Sequence, residues 1–139
     1  KYVAEVELDL DPDLPMVPAL AGPLGQCLLI MIVNSAQAMS EKGSNAAKKG
    51  QITISTKNLG EVIEIRVSDN GPGIPIEILD RIFEPFFTTK EIGKGSGQGL
   101  SIAHSVIVDK HHGTIWADNT YPGAVFVMHI PTSEKSTKS

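Results

Sequence analysis

Cysteine is almost missing from this chain: Cys27 stands alone among 139 residues, which excludes an internal disulfide and suits a reducing compartment. Long apolar runs are missing too. The longest, Cys27 to Val33, falls far short of the roughly 20 residues a membrane-crossing helix needs, so no direct membrane contact is expected. No signal-peptide pattern is visible. There is no excess of positive charge, and a net charge of −4 argues against a general nucleic-acid binder. Two familiar phosphate motifs are absent. No Gly-x4-Gly-Lys-Ser/Thr occurs, and Gln98 and Leu100 stand where the last glycine of Gly-x-Gly-x-x-Gly would be. No internal repeat is found. The length and a hydrophobic content of 41% fit one globular domain with a sound core. The chain opens at Lys1-Tyr2-Val3 without Met and reads as a piece of something longer.

What is present is a glycine-punctuated run from Ser68 to Ser101. Ile63, Ile65 and Val67 alternate with Glu64, Arg66 and Ser68, a strand pattern that delivers Asp69 at its end. Gly71 and Gly73 follow, where the backbone can approach a ligand without Cβ obstruction. Gly93, Gly95, Gly97 and Gly99 lie just before a helical pattern, whose free N–H groups attract phosphate. Asp-Asn-Gly is also an ordinary turn, and alternate glycines also make a loop. One acid and one anion cradle together point to a nucleotide site.

In chain order, residues 2–8 alternate as a strand, and Asp9 to Pro18 is a Pro- and Asp-rich connection. Pro23 to about Ser40 carries Leu24, Cys27, Leu28, Met31, Ile32, Ala36 and Met39 at helical spacing, apolar nearly all round, which predicts a buried helix. Gly43 to Gly50 is a polar loop. Gln51–Lys57 and Glu61–Asp69 form a hairpin across Asn58-Leu59-Gly60. Pro75 suits the first position of a short helix bearing Ile78, Leu79, Ile82 and Phe83. Glu84 to Gly97 has few core anchors and is expected to be the mobile part. Gln98 to Lys110 is a second long helix with Leu100, Ala103, His104 and Ile107 on its core stripe, stopped at Gly113. Thr114–Ala117 and Gly123–Ile130 are the last strands, and residues 132–139 a polar tail or linker after a domain of residues 1–131. This order predicts a two-layer α/β sandwich: a mixed sheet of about five strands with helices on one face.

Asn34 lies within the apolar first helix. It reads either as a buried amide tying two elements together or as a ligand for Mg²⁺, which keeps several waters and takes one or two protein oxygens beside phosphate oxygens.

With these residues assembled, nearly the whole chain, about residues 2–131, resembles the catalytic and ATP-binding domain of sensor histidine kinases, within the Bergerat-type ATPase superfamily shared with gyrase. Gln26 to Ala38 matches the N box and Asp69-Asn70-Gly71-Pro72-Gly73-Ile74 the first glycine box. Phe83 to Lys90 matches the F box and Gly93 to Leu100 the second glycine box. The wording Pro85-Phe86-Phe87-Thr88-Thr89-Lys90 is similar to the nitrogen-regulation type. The resemblance implies that Asp69 accepts a hydrogen bond from the adenine amino group. Gly71 and Gly73 give backbone access beside the base, and Ile74 lines the slot. Asn34 holds Mg²⁺. Phe83 to Gly97 forms a lid over ATP that brings Phe87 to the site, with Gly95, Gly97, Gly99 and Leu100 offering N–H groups to the phosphates.

Three positions depart from the family pattern. Ile30 stands where a second Asn is usual, four residues before Asn34, and where hydrolytic relatives place a water-activating Glu. Gln37 replaces a common Lys or Arg, so Lys90 or Lys94 becomes the candidate phosphate cation, each of which also reads as a solvated lysine. Ala124 replaces a Thr whose hydroxyl supports an adenine-binding water. His104, His111, His112 and His129 all lack the phosphoacceptor context His-Glu/Asp-x-x-Asn/Thr-Pro. His104 is expected to be a packed core residue. The resemblance therefore implies a kinase half, cytoplasmic, in a protein whose remainder is compatible with a membrane anchor. It would phosphorylate a histidine on a helical dimerisation domain of the same homodimeric protein, which then passes the group to a response-regulator receiver domain. An anti-sigma-type serine kinase, a clamp-type hydrolase (opposed by Ile30) and a regulatory nucleotide-binding module remain as alternatives.

Overall fold

The computed structural model describes residues 4–12, 21–41, 50–84, 99–120 and 123–132. Its elements are β1 (Ala4–Asp9), α1 (Ala21–Glu41), β2 (Gly50–Asn58), β3 (Val62–Asp69), α2 (Gly99–His104), β4 (Thr114–Asn119) and β5 (Ala124–Pro131). The five strands form one mixed sheet in the order β1-β2-β3-β5-β4. β1 runs parallel to β2, and the other neighbours are antiparallel. The helices pack on one face, as the order of elements predicts.

The period-2 pattern sorts the two faces. Ile63, Ile65 and Val67 of β3 join Phe126, Met128 and Ile130 of β5 and Ile52 of β2 beneath the helices. Cys27 and Met31 of α1 and Ala103, Val106 and Ile107 complete this core. Burial pushes the Cys27 thiol up to about 11, so it stays protonated and packs as a small apolar group.

Four expectations need correction. First, α1 is not buried all round: Leu29 is 59% and Val33 44% exposed, because sheet and α2 cover only one side. Second, the segment after Pro75 is a succession of turns rather than a helix. Its backbone bonds join every third residue: Ile78 N to Pro75 O (3.0 Å), Arg81 N to Ile78 O (2.8 Å) and Glu84 N to Arg81 O (3.0 Å). The β-branched Ile76 and Ile78 nucleate a helix poorly, and the turns bury Ile82 while Ile76 stays 72% exposed.

Third, the second helix is not uniform, for α2 widens after His104 into a π-helical segment, Ser105–Lys110. Val106 and Ile107 both reach the core there. The buried His111 Nδ1–H donates to the Val106 carbonyl at 2.8 Å, satisfying a group near the end of the helix. Fourth, His104 is exposed, beside the Phe83 ring at 5.9 Å, and so lies off the core stripe. Gly113 closes the segment as expected, with its N–H on Ile107 O (2.8 Å) and its Cα so near the His129 carbonyl that a Cβ would collide.

On the outer face, Glu64 accepts from Arg66 Nε (2.8 Å) and pairs with His129 Nε2 (2.9 Å), whose ring meets the edge of Trp116 at 4.9 Å. The Arg66 hydrogen bond, helped by His129 and opposed by burial, holds the Glu64 carboxyl below the usual range. A carboxylate with a lowered folded-state pKa adds stability that is present above its unfolded pKa and lost as pH falls through the folded one. Glu64→Gln is therefore expected to melt lower than the parent near neutral pH, with the gap closing as the pH falls through and below the ordinary glutamate range. Thermal melts of both proteins across that range check this, and a constant gap contradicts it.

Candidate functional site

At one end of the sheet's inner face a row of residues runs from strand to strand. Ile52 of β2 opposes Asp69 of β3, and Ala124 of β5 opposes Asn119 of β4. The two pairs are joined by the Ala124 N–H, which donates to Asp69 Oδ1 at 3.3 Å. Asp69 thus continues the Ile63, Ile65, Val67 face, half-buried where the apolar core ends. Gly71 N–H also donates to Asp69 Oδ1 (2.9 Å). That is an Asx turn, so the ordinary turn chemistry of Asp-Asn-Gly is present and is what fixes the carboxylate. Oδ2 carries no hydrogen bond from the described residues.

Two glycines permit this packing. Gly123 has φ +89° and lies against the Asp69 carbonyl, where a Cβ would collide with backbone. Gly73 has φ +83°, and a Cβ there would come within 2.8 Å of Asn119 Oδ1. Asn119 holds the neighbouring residue by both backbone groups: Ile74 N–H donates to Asn119 Oδ1 (2.7 Å), and Asn119 Nδ2 donates to Ile74 O (2.8 Å). Ile74 itself packs on the edge of the core. Asn70 closes the other side, its Oδ1 accepting from Gln51 N (2.9 Å) while its N–H donates to Gln51 O (3.2 Å).

The direction of α1 follows from three contacts. The Cys27 thiol lies 3.9 Å from Ala103 O and 3.8 Å from Met128 Sδ. Ile30 Cγ2 lies 3.4 Å from where a Cβ on Gly99 would sit. α1 is therefore antiparallel to α2, and the π-helical segment after α2 ends beside His129. Passing from Cys27 through Ile30 to Asn34, α1 moves away from the His129 end of β5 and toward Ala124 and Asp69. Asn34 is half-buried, and its side chain has no hydrogen-bond partner among the described residues. Gly99 and the partly buried Leu100 open α2 beside Ile30.

Asn34, Asp69, Gly71, Gly73, Ile74, Gly99 and Leu100 are thus placed at one end of the fold. Phe87, Lys90, Lys94, Gly95 and Gly97, with most of the expected lid, lie outside the described residues. Among the described residues no group of three or more His, Cys, Asp or Glu could hold a metal ion, and no helix is long and apolar enough to cross a membrane.

Residues 20–134 match the family described as histidine kinase-, DNA gyrase B- and HSP90-like ATPase. The chain belongs to this family. Among its relatives, the sensor kinase CckA of Brucella abortus is 35% identical over 91% of this chain and 14% of its own length. The sensory histidine kinase/phosphatase NtrB of Vibrio alginolyticus is 33% identical over 91% of this chain and 37% of its own. This ATPase-family domain thus spans well under half the length of either. The solved catalytic domain of histidine kinase ThkA superposes with a TM-score of 0.77 at 33% identity, covering 93% of this chain and 80% of that one. The Bergerat fold is thereby established. ThkA has also been solved in complex with the response regulator TrrA (TM-score 0.74, 30% identity, 94% and 34% covered).

Sequence reasoning missed Asn119 and Gly123. Asn119 is 45 residues from Ile74, and only the β4–β5 register brings it there. The one local signal was the Asp118-Asn119 pair at a strand end shortly before the Pro122-Gly123 dipeptide. Losing two hydrogen bonds to partly buried backbone should cost about 1–3 kcal/mol. Asn119→Ala is expected to lower stability in urea by that order and to weaken nucleotide binding, while Asn119→Asp, which keeps the acceptor for Ile74 N, retains part of both. Denaturation and calorimetric titration of the two variants check this; an unchanged Asn119→Ala contradicts it.

Proposed function

We propose that this chain is the Mg-ATP-binding catalytic domain of a cytoplasmic sensor histidine kinase of nitrogen-regulation-like type. It delivers the γ-phosphoryl group of ATP to a histidine nitrogen, with ADP as leaving group. The acceptor sits on a helical dimerisation domain of the same homodimeric protein, which passes the group to a response-regulator receiver domain. The observation that carries this reading is the Asp69 carboxylate: one oxygen is fixed by two backbone N–H groups and the other, on the helix-facing side of the sheet, has no partner among the described residues. A fixed acceptor beside an apolar row takes the adenine amino group and refuses the guanine carbonyl. Two of the four local histidines are ill placed as acceptors, since His111 is 5% exposed and His129 is engaged by Glu64. The ThkA–TrrA complex supports a receiver-domain partner.

Asn34 fits a magnesium ion that arrives with the nucleotide: a half-buried amide with no described partner adds one neutral oxygen, and the phosphates and water complete the set. When bound, the ion neutralises phosphate charge. The remaining work falls to the chain: Asp69 and Ile74 orient the base, and the glycine N–H groups with Lys90 or Lys94 hold the phosphates. Ile30 neither binds metal nor accepts a proton, which disfavours hydrolysis; together with Gln37 and Ala124 it supports the alternative of a regulatory nucleotide-binding module with little transfer activity.

Calorimetric titration of the chain is expected to show ATP binding far tighter than GTP, with Asp69→Asn weakening ATP by about ten- to a hundredfold. Equal affinities for the two nucleotides, or an indifferent Asp69→Asn, would remove Asp69 from a base pocket. Asn34→Ala should abolish the magnesium dependence of ATP affinity, whereas Ile30→Asn should tighten Mg-ATP binding or raise transfer to the helical domain. A harmless Asn34→Ala together with an inert Ile30→Asn would show that α1 does not serve the metal.

A further inference from the structure

The β2–β3 register continues one step past Ile52–Asp69, to Gln51 and Asn70. In an antiparallel ladder alternate pairs exchange both backbone hydrogen bonds. Leu59 N–H donates to Val62 O at the hairpin, and Gln51–Asn70, an even number of residues away along β2, belongs to the same hydrogen-bonded set. Only one of its two bonds is made by main chain alone. Asn70 N–H donates to Gln51 O (3.2 Å), but Gln51 N–H goes to Asn70 Oδ1 on the side chain (2.9 Å). The amide oxygen stands in for the Asn70 carbonyl. The main chain is thereby free to leave the ladder directly after Asp69 and to bring Gly71 N–H back onto Asp69 Oδ1 (2.9 Å). Gln51 is a firm anchor for this turn, because β1 holds it from its other edge: its Nε2 donates to Glu7 Oε1 at 2.6 Å.

Asp69 and Asn70 therefore reach opposite neighbours, Asp69 to Ala124 of β5 and Asn70 to Gln51 of β2. With no side-chain acceptor at position 70, the main-chain carbonyl would turn back to Gln51 N–H and carry Gly71 off Asp69, or the turn would lose its tie to β2. Either way the Ala124 N–H, at 3.3 Å, is the described donor that remains to hold Asp69 Oδ1. We propose that Asn70 is a positioning residue for base recognition: bonded to β2 rather than to the ligand, it fixes the turn that aims the Asp69 carboxylate at adenine's amino group. This inference rests on the adenine pocket argued above.

The test is calorimetric titration of the 139-residue chain and its Asn70→Ala, Asn70→Asp, Asp69→Asn and Asp69→Asn/Asn70→Ala variants. The ligands are ATP and purine riboside triphosphate, which lacks the amino group, and thermal melts accompany each titration. Asn70→Ala should bind ATP about three- to tenfold more weakly, with its affinity for the amino-free nucleotide unchanged. Asn70→Asp keeps the oxygen that accepts from Gln51 N–H and should retain most of the ATP affinity. In the Asp69→Asn background, Asn70→Ala should add no further loss, because the two residues act through one contact. Unchanged ATP affinity in Asn70→Ala, equal losses for both nucleotides, or the same loss repeated in the Asp69→Asn background overturns the assignment of Asn70 while leaving the pocket in place. If the melts show that Asn70→Ala does not fold, Asn70→Asp decides: keeping the parent's preference for ATP supports the assignment, and losing it overturns it. A parent chain that does not prefer ATP to the amino-free nucleotide overturns pocket and assignment together.

Discussion

The Asp69 carboxylate is held by backbone, and that constraint organises the rest of the site. Gly71 N–H and Ala124 N–H converge on one oxygen, which requires that β5 approach the end of β3 closely. The approach is possible because Gly123, at φ +89°, has no Cβ to strike the Asp69 carbonyl. The turn that follows Asp69 is then pinned by Asn119, which holds Ile74 by both backbone groups. The turn after Asp69 and a second stretch bearing Asn119, Gly123 and Ala124 therefore fix one acid with no charged partner among the described residues. A carboxylate held through one oxygen by backbone N–H groups keeps the other oxygen for a ligand, whereas an arginine partner would occupy both.

The helices complete the arrangement through their relative direction. Cys27 between Ala103 and Met128, and Ile30 against Gly99, set α1 antiparallel to α2. That packing brings Asn34 and Ser35 to the Asp69 end and the start of α2 alongside them. The surrounding core is apolar and close-packed, so a polar group at its boundary is either paired within the protein or available to a ligand.

Much of this was legible in the sequence, for physical reasons that differ between elements. β3 announced itself because Ile63, Ile65 and Val67 alternate with polar residues, and one buried face demands that period. Asp69 at its end and the Gly73-Ile74 pair were legible because glycine spacing and strand termination are local. α1 was found, but its exposed side was not, since Leu29 and Val33 are as apolar as the buried residues and only tertiary packing decides which are covered. The turns after Pro75 and the widened segment Ser105–Lys110 differ from helices in hydrogen-bond register, which side-chain spacing does not encode. Asn119 escaped because its partner Ile74 is 45 residues away and only the β4–β5 register brings the two together. His104 was placed on the core stripe by spacing, yet it is exposed beside the Phe83 ring at the end of α2.

The central claim is that Asp69 Oδ2 receives the base of a nucleotide whose phosphates lie toward Asn34 and the start of α2. A crystal structure of the chain with Mg²⁺ and a non-hydrolysable ATP analogue tests it most directly. The account predicts the adenine amino group within hydrogen-bond distance of Asp69, the ring against Ile74, and the metal on Asn34. An analogue bound with its base away from Asp69, or with its phosphates at the His129 end of the sheet, would contradict it.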